Sequence, residues 1–143
     1  MTVIRQLSVL AVLAICSYED MKSKQICIKW LLLFAGEGIL FWILGEKQSI
    51  IEIITAISPG LCVLLLAFMT GGGIGQGDGL LLIVTGIFLG GVSVMKIFLS
   101  ALFLSGGYAA ALFVIGRKNR KYEIAFVPFL LLAFIGEMLI QNV

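Results

Sequence analysis

Two aspartates, Asp20 and Asp78, have the surroundings that suggest chemistry in this chain. Asp78 lies in Gly71-Gly72-Gly73-Ile74-Gly75-Gln76-Gly77-Asp78-Gly79, where six of nine residues are glycine. Glycine at this density keeps the backbone pliable and allows close approach to another group. A helix-capping role would suit an acid at a helix start, but it does not account for so many glycines. A phosphate-cradling loop is a poorer fit, because no GK[ST] follows and GxGxxG does not occur literally. Asp20, between Glu19 and Lys22, reads by itself as a solvated connector residue. Taken together, the two acids suggest more. Carboxyl groups a few ångströms apart do not both ionise easily, so one keeps a proton near neutral pH. The ionised member can then draw a proton from water while the protonated one polarises a peptide carbonyl. Such a pair titrates as a unit and needs no cofactor, serine nucleophile or histidine. The chain contains no histidine.

The other reactive side chains read as structural. Cys16, Cys27 and Cys62 lack CxxC spacing and are expected to be small apolar residues in helices, with no zinc site of the usual kind. Glu37, between Gly36 and Gly38, falls near the middle of an apolar segment, where a charge costs about 2.5–3.5 kcal/mol. It is expected to hydrogen-bond a neighbouring helix, with an ion path as the other reading. Glu52 and Glu137 are expected near the ends of their segments.

The elements that must position these acids are membrane helices. The 143 residues make one domain, 1–143, and 61% are hydrophobic with a mean hydropathy of +1.16. An ordinary soluble protein has roughly 45–50% apolar residues, so lipid is the expected solvent and membrane lipid the expected surrounding. The net charge of +2 is too small to point to nucleic acid. Six apolar segments are predicted, at about 3–17, 26–44, 50–70, 79–94, 97–115 and 125–140. Leu7 to Cys16 after Arg5 has the look of a signal peptide, but Ile15 is too bulky for a cleavage site, and a first membrane helix is the better reading. Trp30 and Trp42 flank the second segment like an interfacial belt. Pro59-Gly60 is expected to kink the third, and Pro128 falls in the first turn of the sixth, where proline is tolerated.

Six spans put Lys22, Lys24, Lys29, Arg117, Lys118, Arg120 and Lys121 on one face, against Arg5, Lys47 and Lys96 on the other. Seven against three predicts that the first face is cytoplasmic. Asp78 falls on that face, and so does the connector holding Asp20. The basic run from Arg117 to Lys121 could also bind anionic lipid.

At these residues the chain resembles the type IV prepilin peptidases and preflagellin peptidases, the GxGD membrane aspartic peptidases. Gly75-Gln76-Gly77-Asp78 matches the motif that names the group. Asp20, followed by Lys22, Lys24 and Ile26, resembles its first catalytic aspartate and basic connector. The stretch from Lys121 to Leu130, with Phe126, Pro128 and Phe129, resembles its later basic connector and Pro- and Phe-containing helix. The resemblance covers the chain as a short form without the N-terminal extension associated with N-methylation. It differs at Leu80, where the family often has lysine, and at Ile26-Cys27-Ile28, where it often has Ile-Pro-Asn. It implies an all-α bundle of six transmembrane helices in the cytoplasmic membrane. Asp20 and Asp78 would be catalytic, Gly75 and Gly77 would lie against the substrate, and no cofactor or metal would be needed. The implied substrates are prepilin-like precursors with a basic leader before an apolar helix, cut at the cytoplasmic face. A small ion transporter using Asp78 and Glu37, or a non-catalytic pilus-assembly subunit, remain the alternative readings.

Overall fold

Leucine, isoleucine, valine and phenylalanine run almost without interruption between short polar or glycine-rich breaks, and helix is the one regular structure that satisfies the backbone of such runs locally. The computed structural model describes residues 2–24, 26–45, 49–71, 75–115 and 125–141, and among these the chain is all-helical: α1 (Thr2–Ser23), α2 (Ile28–Leu44), α3 (Ile50–Met69), α4 (Gln76–Leu89), α5 (Gly91–Val114) and α6 (Val127–Gln141). The basic run at 116–121, Lys47 and the glycines at 72–73 lie outside the described residues, so the orientation argument built on those charges is a matter of sequence.

Two boundaries differ from the sequence expectation, each for a local reason. First, α1 does not stop at Ser17. It continues through Asp20 to Ser23 and closes only where Lys24 turns left-handed, with φ 53°, and returns its N–H to the Asp20 carbonyl at 3.0 Å. Asp20 therefore belongs to a helix, not a connector. Second, α4 starts at Gln76 and ends at Leu89, and α5 follows after Gly90 alone. Gly90 has φ 82° and ψ 166°, a conformation open essentially only to glycine, and it caps both helices. Lys96 consequently lies inside α5, paired with Glu137 of α6 at 3.6 Å, rather than between two spans. The third segment has the expected extent, and α3 continues through Pro59-Gly60. It opens on a Ser49–Glu52 capping box, the Glu52 carboxylate accepting the Ser49 N–H at 2.9 Å.

The bundle is organised around α4, which packs on α1, α2, α3 and α5 and buries Leu81, Leu82, Val84, Thr85 and Phe88. The α3–α4 contact is set by small residues. A Cβ on Gly60 would lie 2.6 Å from the Gly79 carbonyl, and one on Gly86 would run into the Ala56 carbonyl. Close approach of this kind is how helices associate where lipid supplies no hydrophobic drive. The Thr85 hydroxyl, fully buried among these helices, is satisfied by the Leu81 carbonyl at 2.8 Å.

Two helices, Ile50–Met69 and Gly91–Val114, are long and apolar enough to cross a membrane. Only 11% of the apolar window of α5 is buried, which separates it from the core helix of a soluble protein. Large side chains face outward elsewhere as well, including Leu44, Phe68, Phe103 and Ile140. Such a surface in water would be an aggregation site. α2, α4 and α6 have 17, 14 and 15 residues, short of the roughly 20 that a full span requires.

Candidate active site

The C-terminal turns of α1 and the N-terminal turn of α4 come together at one end of the bundle. Asp20 is 7% exposed, and its Oδ2 accepts the Val127 N–H at 3.1 Å, across 107 residues of sequence. Asp78 is the third residue of α4; its own N–H reaches the Gly75 carbonyl at 3.2 Å. Its carboxylate folds back over Gly75, where a Cβ would lie 2.8 Å from Oδ2. Gly75 itself is exposed and extended, with φ −64° and ψ 118°.

The second motif glycine has a different neighbour. A Cβ on Gly77 would meet Ile26 at 3.1 Å, so this glycine lets α4 lie against the link between α1 and α2. That link is held from the other side by Glu19, whose Oε2 accepts the Cys27 N–H at 3.0 Å. Cys27 is thus the residue before α2 rather than a helical one, and Cys16, Cys27 and Cys62 are free thiols.

Electrostatics couples the two acids. Both sit at helix ends, outside the apolar segments 3–17 and 79–94. Burial pushes the Asp78 carboxyl up from 3.8 to about 7, and the charge of Asp20 adds to the shift. Burial also raises Asp20, but the Val127 and Phe126 backbone N–H groups and the Lys24 ammonium pull it back. At neutral pH the pair therefore tends to hold one proton, the condition under which one carboxyl acts as base and the other as acid.

Other carboxylates among the described residues are engaged elsewhere. Glu37 accepts a hydrogen bond from the Ser8 hydroxyl of α1, the structural role expected for it. Glu137 pairs with Lys96. A cavity of about 170 Å³ lies towards the opposite end of the bundle, lined by Arg5, Gln6, Ser93 and Glu137 among others. An open groove runs beside Tyr18, Lys22, Ile26 and Trp30. Neither is lined by Asp20 or Asp78, so the electrostatic coupling of the two carboxylates marks the candidate site, not the size of a hollow. Among the described residues no cluster of histidine, cysteine and carboxylate has the makings of a metal site.

Sequence reasoning missed Glu19, Ile26 and the N–H groups of Phe126 and Val127. Only the last left a trace: Pro128 marks a helix start, and a helix start has unpaired donors.

The type IV leader peptidase family model matches residues 7–115, which spans both aspartates and the glycine motif. No curated protein and no solved structure matches the chain.

Proposed function

Because the chain belongs to the type IV leader peptidase family, we propose that it is an aspartic endopeptidase that removes the leader from pilin-like precursors. What carries this reading is the packing of α1 on α4, which buries Asp78 and brings the charge of Asp20 within reach of it; burial first, and that charge second, raise Asp78 to about 7. One member of the pair takes a proton from water, and the resulting hydroxide adds to the scissile carbonyl carbon. The other gives its proton to the carbonyl oxygen, forming a gem-diol. Collapse of that intermediate breaks the C–N bond as a proton passes to the departing amine. No step uses any group beyond the two carboxyls and water.

The substrate lies extended beside Gly75, the exposed motif residue, with its apolar helix in the lipid next to the bundle. A basic leader fits the cytoplasmic face, the face to which the sequence pattern of basic residues assigns the pair. In this reading all six helices cross the cytoplasmic membrane, the shorter ones sheltered by longer neighbours and by local thinning of the bilayer. The test is incubation of the purified, reconstituted chain with a pilin-like precursor and mass analysis of the products. The expected result is one cut between the basic leader and the apolar helix. An uncleaved precursor across pH 5–8 would overturn the proposal.

A further inference from the structure

α6 contributes no acidic or basic side chain to the site, yet its first turn reaches into it. The first N–H groups of a helix have no intrahelical partner and must be satisfied from outside. In α6 these groups can be accounted for one by one. Phe129 N–H bonds the Phe126 carbonyl at 3.0 Å, Pro128 has no N–H, and Val127 donates to Asp20. The Phe126 N–H also acts on Asp20. The helix start thus offers donors without intrahelical partners, and the Val127 N–H is the one in hydrogen-bond contact with the Asp20 carboxylate. Both carboxylates lie at a helix N-terminus, but among the described residues no backbone N–H bonds that of Asp78. It stands in the first turn of its own helix, and its neighbour at close range is Gly75.

We propose that the amino-terminal turn of α6 is the positioning device that divides the labour between the two acids: by binding the charged form of Asp20 it makes Asp20 the base and leaves the shared proton on Asp78, the acid. Hydrogen bonds from backbone N–H groups, and the positive end of a helix, favour a carboxylate over a carboxylic acid. The other charged and titratable groups around Asp20 are Asp78 from α4, to which it is coupled, Lys24 one turn further on, Glu19 next to it, and Cys16, which the charges of Glu19 and Asp20 both reach. Lys24 acts in the same direction as α6. Glu19 is turned towards the Cys27 N–H. Within the pair, then, it is the contact with α6 that breaks the symmetry.

The role assignment rests on the peptidase reading, whereas the ionisation order does not, so two readouts separate them. The full chain is reconstituted in nanodiscs with ¹³C-carboxyl aspartate. With only two aspartates in the sequence, Asp20→Asn and Asp78→Asn suffice to assign the signals. Wild type is expected to ionise Asp20 first. Val127→Pro deletes the N–H at a helix position that accepts proline, and Val127→Ala keeps it. In Val127→Pro the Asp20 titration and the acidic limb of kcat/KM should both move up by about one pH unit, whereas Val127→Ala keeps the wild-type limb whatever its rate. If Val127→Pro fails to fold, an amide-to-ester replacement at position 127 removes the same donor with the side chain retained. An Asp78 that ionises before Asp20, or a titration unchanged on loss of the N–H, overturns the inference. If the precursor is never cleaved but Asp20 titrates first and shifts as described, the peptidase reading fails and the ionisation order stands.

Discussion

Asp78 keeps its proton over a pH range in which an ordinary aspartate has lost it, and this has a consequence for stability. Its carboxyl titrates at about 7 in the folded chain against 3.8 for the free group. Between those values the folded state binds more protons than the unfolded one. Stability therefore falls as pH rises from about 4 to about 7 and is level above that. A shift of this size corresponds to at most about 4 kcal/mol. Thermal unfolding in detergent should thus show a melting temperature that drops across this window in wild type and drops less in Asp78→Asn, where Asp20 alone of the pair still titrates. The same physics made part of the site legible from sequence. A carboxylate beside glycines next to long apolar runs had to have a partner, and Asp20 was identified as that partner. Its setting was not legible, because a polar run such as Tyr18 to Lys22 fits a connector or a last helical turn equally well. What decides between them is the left-handed turn at Lys24.

At the scale of elements, the α3–α4 contact is the part of the fold with least room for change. A side chain at Gly86 would have to displace the backbone carbonyl of Ala56, and one at Gly60 that of Gly79. Gly86→Val is expected to cost about 1–3 kcal/mol or more by forcing the helices apart. Gly36→Ala and Gly107→Ala, with nothing within 4 Å of the added carbon, should be neutral or stabilising by up to about 1 kcal/mol. Denaturation midpoints of the three variants check this contrast. Pro59-Gly60 was read for its effect on the course of α3, not for what its glycine touches. In the fold the glycine is a contact surface and the helix continues. A contact made by an absent side chain leaves no mark in a sequence until the partner helix is known. The end of α4 was misplaced for a related reason: Gly90-Gly91 inside an apolar run is visible as composition, but its turn is visible only as a φ of 82°.

The whole molecule places the C-terminal ends of α1 and α3 and the N-terminal ends of α2, α4 and α6 together, with Arg5, Gly90 and Lys96 towards the other end. The all-helical class was legible because apolar runs of this length admit little else. The number of spans is less secure from length alone, since three helices are shorter than a bilayer normally demands. Single cysteines in a cysteine-free background test the arrangement in sealed right-side-out vesicles. Met21→Cys and Met69→Cys, both highly exposed, should resist an impermeant thiol reagent until the vesicles are opened. Val92→Cys, near the opposite end and also exposed, should react at once. Simultaneous labelling of all three would contradict the six-span arrangement.

The central claim is that the two aspartates act as one catalytic unit, and kinetics on a pilin-like precursor tests it most directly. Cleavage rates would be compared for wild type, Asp20→Asn, Asp78→Asn and the double variant. Each single change should lower kcat about a thousandfold or more, and the double variant should be no slower than the worse single one, as for groups that work together. Substantial cleavage by either single variant, or losses that multiply in the double variant, would contradict the account.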